Sequence, residues 1–173
     1  MPRFETLLAT ADHWLGRLLD CMVVALAGTL LLLLNWAVFA RFVLNDSVSW
    51  GEELPAHLLA MLTFLGAAYL TRTNEHLGFD AVLRVMPLTL KRWITALNLV
   101  LMGGFGALLA WYGGIAAASF AGRSLISIDA PVLLFRGAMP LGGALICLFC
   151  AVRLAGIATG RIDPMDLLPE SDA

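Results

Sequence analysis

Charge is scarce in this chain. Asp, Glu, Lys and Arg make up 14% of its 173 residues, about half of the roughly 25% that a soluble domain carries. With 60% hydrophobic residues and a mean hydropathy of +0.85, such a composition reads as an integral membrane protein. Positive charge is short as well: 11 Lys and Arg stand against 13 Asp and Glu, a net charge of -2, and the cations are spread along the chain. That spread provides no basic field, so nucleic acid is not an expected partner. Only three cysteines occur, Cys21, Cys147 and Cys150, all inside apolar runs. A disulfide framework is therefore not indicated, and the C-x-x-C of Cys147 and Cys150 lacks the βαβ setting of a redox motif.

Chemistry-bearing motifs are missing too. The spacing from Glu53 to His57 is E-x-x-x-H rather than the E-x-x-H of di-iron bundles, and His57 and His76 belong to opposite ends of one helix. Neither a nucleophile triad nor a phosphate loop is present, so neither an enzyme nor a metal or cofactor site is expected. Deep in the apolar runs the polar residues are Thr29, Asn35, Thr63 and Asn98, with no acid, Arg or Lys at mid-depth. A transporter that handles ions by itself usually keeps ionisable groups there. The sequence also has no internal repeat of the kind that builds inverted-repeat transporters.

What the chain does have is four apolar stretches near the roughly 20 residues needed to cross a bilayer. They centre on residues 21–40, 51–71, 93–115 and 133–153. The third stays uncharged for 30 residues, Trp93 to Gly122, so its helix tilts, breaks near Gly113 and Gly114, or projects beyond the membrane. The N-terminal stretch, with Glu5 and Asp12 and no small-residue cleavage site after the apolar run, reads as a retained first helix rather than a signal peptide. The expected fold is all-α, with four transmembrane helices in one membrane domain. Helical periodicity in 1–20 and 79–87, apolar on one face and cationic on the other, predicts two in-plane interfacial helices. The acidic, Pro-containing stretch 161–173 reads as a flexible tail.

Four spans place both termini on one side. Arg3, Arg17, Arg72, Arg84, Lys91, Arg92, Arg153 and Arg161 fall on that side, 8 of the 11 basic residues, which leaves Arg41, Arg123 and Arg136 opposite. Positive charge is retained in the cytoplasm, so both termini are expected to be cytoplasmic. Glu52 and Glu53 then stand at the outer surface. Ser49 and Glu52 have the spacing of a capping box, and Pro55 one turn further in is expected to bend the second helix. Below it, Ala56, Ala60, Thr63 and Ala67, with Gly66 beside them, form a stripe of small residues. The third span carries another in Gly103, Gly106, Ala107, Ala110, Gly114 and Ala118. Such stripes let helix backbones approach closely in lipid.

Arg41 at the end of the first span, W-G-E-E-L opening the second, F-L-G-A-A-Y in its inner half and Arg72 followed by His76 together resemble the small membrane subunit, the Q-type or DctQ-like subunit, of the tripartite ATP-independent periplasmic (TRAP) transporters. The resemblance covers roughly residues 10 to 155 and includes the four-span layout, with L-G-F-D after His76 as a departure from a regular amphipathic start. It implies a non-catalytic scaffold in the bacterial inner membrane. It also implies partners: a large M-type membrane subunit that carries solute and sodium, and a periplasmic P-type binding protein that delivers carboxylate-bearing solutes. No cofactor is implied in this chain, since sodium coupling would lie in the large subunit. The residues expected to serve subunit contacts or structure are Arg41, Glu52, Glu53, Ala56, Ala60, Gly66, Ala67, Arg72 and His76. Arg41 is expected to pair with Glu53, leaving Glu52 freer, and Arg72 with His76 to contact helix-end carbonyls or lipid phosphate. Two other readings are a self-sufficient homo-oligomeric small transporter and the membrane anchor of a redox enzyme.

Overall fold

The computed structural model describes residues 2–73 and 87–159, and its elements there are helical: α1 (Pro2–Phe42), α2 (Glu53–Thr73), α3 (Leu88–Ser119), a short α4 (Val132–Arg136) and α5 (Ala138–Ala158). Four described segments are long and apolar enough to cross a membrane: Trp14–Phe42, Glu53–Thr73, Trp93–Ser119 and Val132–Ala158. The four-span expectation is met. Of the in-plane helix expected at 79–87 only Pro87 is described, as the residue before α3, and His76 and the tail 161–173 lie outside the described residues.

Three local expectations change. α1 runs without a break from Pro2 through the first span, so the 1–20 lead-in is the same helix as the span rather than a separate one. α3 likewise passes straight through Gly113 and Gly114. α2 begins at Glu53, which puts Pro55 in the first turn. There its missing N–H removes no intrahelical bond, because the first N–H groups of a helix have no partner within it. The bend expected at Pro55 is therefore not required, and Ser49 sits in the 49–52 turn ahead of the helix instead of capping it.

The proline that does interrupt a helix is Pro140. It cannot donate to the carbonyl of Arg136, and its ring crowds that carbonyl. The fourth span consequently divides there into α4 and α5. Backbone bonds from Gly137 to Leu133 (2.8 Å) and from Leu141 to Gly137 (3.2 Å) keep the two pieces in line.

The helices pack in the order α1, α2, α5, α3, with the α3–α5 contact the most extensive and α2 wedged between α1 and α5. On α1 the sheltered residues are Gly16, Leu19, Val23, Leu26, Leu30, Leu33, Ala37 and Ala40, spaced alternately three and four apart. That spacing is the seam of a shallow left-handed helix pair. It meets Leu54, Leu58, Met61 and Leu65 of α2, which recur at the same spacing. Apart from the half-buried Leu15 and Asp20, the rest of α1 from Trp14 and Leu18 to Trp36 and Phe39 is exposed.

α5 crosses its two neighbours on a glycine pair. A Cβ on Gly142 would stand 2.6 Å from the Phe64 carbonyl oxygen of α2, and one on Gly143 would stand 2.6 Å from the Ala110 nitrogen and 2.7 Å from the Gly106 oxygen of α3. Both distances are below any real carbon contact, so backbone packs on backbone on both sides of α5. Close approach of this kind is how helices associate in lipid, where the hydrophobic effect does not hold them together.

Candidate functional site

At the end of the bundle that carries the 43–52 and 120–131 connections, two adjacent acids are put to different uses. Glu53 opens α2 and reaches the 120–131 loop, whose backbone is folded on itself by hydrogen bonds from Leu125 to Ala130 (2.9 Å) and from Val132 to Arg123 (2.9 Å). One carboxylate oxygen of Glu53 accepts the Ser127 amide at 2.8 Å and the Ser127 hydroxyl at 2.5 Å, and the other accepts the Ile126 amide at 3.2 Å. Those donors would otherwise face out of a turn, and the acid in the first turn of α2 also sits favourably in the helix dipole. Leu125 is buried beneath the same loop with Leu58, Val132 and Phe135, while Ile126 at its tip is 99% exposed.

Glu52 instead lies 3.8 Å from Arg41, with side chains 95% and 64% exposed. The expected partnership is thus reversed: Arg41 faces Glu52, and Glu53 is taken up by the loop. An ion pair this exposed contributes about 0–1 kcal/mol. It borders a shallow groove between the end of α1 and the 47–52 turn. Asn45 follows α1 in the left-handed conformation (φ 52°), which Asn tolerates better than most residues.

One turn into α2, the Nδ1 of His57 lies 2.9 Å from the Glu53 carbonyl oxygen, and its ring stands edge-on to Phe135 at 5.5 Å. Both contacts are internal to the protein. Among the described residues, no three of His, Cys, Asp and Glu come together in a metal-binding group.

The small-residue stripe of α2 does not pack as a unit. Ala67 adjoins the cluster of Ala68, Leu99, Ile146 and Cys150. Ala56 and Ala60 are exposed along a cleft, and a Cβ on Gly66 would meet nothing within 4 Å. On α3 the residues at the α5 contact are Gly103, Gly106, Ala110 and Gly113, while Ala107 and Ala118 are exposed and Gly114 faces open space.

At the opposite end, α2 is finished by Arg153 of α5. Its guanidinium donates to the carbonyl oxygens of Thr71 (2.8 Å) and Arg72 (2.7 Å). These are among the last carbonyls of α2, which have no partner within the helix and favour a cation. Arg72, expected to make that contact itself, lays its guanidinium on Gly16 of α1, in the place a side chain would occupy. The predicted residues thus form no single centre. They divide between two helix ends, a helix interface and a cleft wall. Gly16, Ser127, Gly142, Gly143 and Arg153 complete the arrangement and were not anticipated as its partners.

Residues 30–160 match the family described as "Tripartite ATP-independent periplasmic transporters, DctQ component". Among curated proteins, the chain is 28% identical over 124 residues to the C4-dicarboxylate TRAP transporter small permease protein DctQ of Rhodobacter capsulatus, a match covering 68% of this chain and 53% of that protein. It is 31% identical over 88 residues to the ectoine TRAP transporter small permease protein TeaB of Halomonas elongata, covering 50% of this chain and 45% of that protein. The chain therefore spans about half the length of these relatives.

Proposed function

Because the chain belongs to the DctQ component family of the tripartite ATP-independent periplasmic transporters, a transporter-subunit family and not an enzyme family, we propose that it is the static scaffold of a binding-protein-dependent secondary transporter. Its partners are a large membrane subunit that moves the solute and a periplasmic protein that captures it. The solutes are carboxylate-bearing and their entry is coupled to sodium, with both solute and ion handled by the large subunit. The relatives named for C4-dicarboxylates and for ectoine support a small-solute uptake system.

The observation that carries this reading is the double crossing at Gly142 and Gly143. With backbone in contact on both sides, α5 holds α2 and α3 in one arrangement, and any sliding would drive backbone atoms into each other. A rigid body of this kind suits a subunit that stays still while its partner moves. The exposed faces of α1 and α3, with Leu31, Leu32, Phe105 and Leu108 among their residues, leave ample surface for partner helices and lipid. The orientation follows from the 8-to-3 division of cations read from the sequence. It places both termini in the cytoplasm and the Glu53-anchored loop outside, where it can meet the binding protein. Arg17, an exposed cation in the first half of α1, then stands toward the cytoplasmic interface.

Co-purification from the native membrane tests the assignment. The tagged full chain should bring down a large polytopic membrane protein at fixed stoichiometry, and recovery of the chain as a homo-oligomer alone would favour the self-sufficient transporter instead.

A further inference from the structure

The wall left free by the small residues of α2 faces α3 across a cleft of about 260 Å³. Ala56 and Ala60 form one side, Gly113, Ala116 and Ala117 the other, and Phe64 and Met139 close it inwardly. From Ala56 to Phe64 the cleft follows α2 for eight residues, about 12 Å at 1.5 Å per residue. That is somewhat under half of the roughly 30 Å hydrocarbon thickness, so the cleft covers most of one leaflet. Dividing its volume by its length gives a mean cross-section of about 22 Å². An extended hydrocarbon chain fits such a slot, whereas an α-helix about 10 Å across with its side chains does not.

The chemistry changes at the rim. Inside, the walls are apolar apart from His57, whose Nδ1 is held at the Glu53 carbonyl. A small ion or a free carboxylate would lose its hydration there with nothing to replace it. Arg136 lines the cleft, and Arg123 shares an aromatic ring with it. The Arg136 guanidinium lies 3.6 Å from the centre of the Phe120 ring, and that of Arg123 lies 5.2 Å from the same ring. Among the described residues neither is in an ion pair: Glu53 is occupied by Ser127 and Ile126, Glu52 faces Arg41, and exposed Asp129 on the same loop pairs with neither. One aromatic ring therefore gathers two guanidinium groups beside the entrance of an apolar slot. A planar guanidinium with several donors matches a phosphate oxygen pair.

We propose that this cleft is the seat of one phospholipid, with an acyl chain lying between α2 and α3 and the headgroup phosphate held by Arg136 and Arg123. The lipid completes the packing between α2 and α3 at this end, where the two helices have only α5 and α4 in common. The proposal concerns the chain by itself and stands whether or not a transporter partner is found.

Native mass spectrometry of the full chain tests it. The protein is purified in mild detergent, stripped by prolonged exchange, and titrated with dioleoyl phosphatidylglycerol. One tightly held lipid per chain is expected. Retention should fall about tenfold in the Arg123→Gln/Arg136→Gln double variant, the factor that accompanies loss of a charge-assisted contact. It should be lost in Ala60→Phe, which fills the slot, and be unaltered in Leu32→Phe on the exposed face of α1. Excess inorganic phosphate should not displace the lipid. The double variant changes only exposed rim residues, so it decides the matter even if Ala60→Phe does not fold. The proposal is overturned if retention is the same in the double variant as in the natural sequence, if inorganic phosphate displaces the lipid, or if Ala60→Phe loses a co-purifying membrane protein while still holding its lipid.

Discussion

Replacing Glu53 by Gln keeps the shape of the side chain and removes the charge from an acceptor of three hydrogen bonds. Bonds to an ionised group are shorter and stronger than neutral ones, so the 120–131 loop should loosen. Amide hydrogen exchange at Ile126 and Ser127 should be faster in Glu53→Gln and unaltered in Glu52→Gln, whose residue holds only the exposed pair with Arg41. Equal effects of the two substitutions would remove the division of labour between the acids. The sequence placed both acids at the mouth of the second span but suggested the wrong partner for each, with Arg41 assigned to Glu53. The partner of Glu53 lies 74 residues away on a loop with no motif of its own, and local spacing carries no trace of it. Arg153 was hidden in the same way. It counts as one more cation on the cytoplasmic side until the fold sets it against the last carbonyls of α2.

Helices in this chain are held by positions that lack side chains. Gly143→Val should cost about 1–3 kcal/mol by overpacking, with more than one atom of α3 to be moved, and Gly142→Ala should press on the backbone at Phe64. Gly114→Ala, where a Cβ meets open space, should be neutral or stabilise by up to about 1 kcal/mol, since alanine is the better helix former. Thermal unfolding in detergent, followed by tryptophan fluorescence, compares the three. The existence of the spans was legible from run length alone, and so was the fact that α3 would pack closely. The particular face was not. In a soluble helix the buried stripe contrasts with a polar one, but here lipid-facing residues such as Leu31 and Leu32 are as apolar as the seam residues Leu30 and Leu33. The three-four spacing of α1 is therefore invisible against its background. Pro55 and Pro140 teach a related lesson: a proline bends or breaks a helix only if it falls past the first turn, and the helix start at Glu53 decides that for Pro55.

On the scale of the whole molecule, four spans, low charge and the bias of cations to one side follow from composition and order. The DctQ family match over residues 30–160 agrees with what W-G-E-E-L and F-L-G-A-A-Y suggested. The arrangement α1–α2–α5–α3 could not be read in advance, because the choice of neighbours depends on which glycines meet across a crossing. A chain that braces a transporter, as proposed above, does not itself carry solute. Uptake into proteoliposomes tests this most directly, using a solute that the binding protein captures and an imposed inward sodium gradient, with this chain alone, the large membrane subunit alone and the two together, each with the binding protein present. No uptake is expected with the chain alone, and sodium-dependent uptake is expected when both membrane subunits are present. Sodium-driven uptake by the chain alone would contradict the proposal.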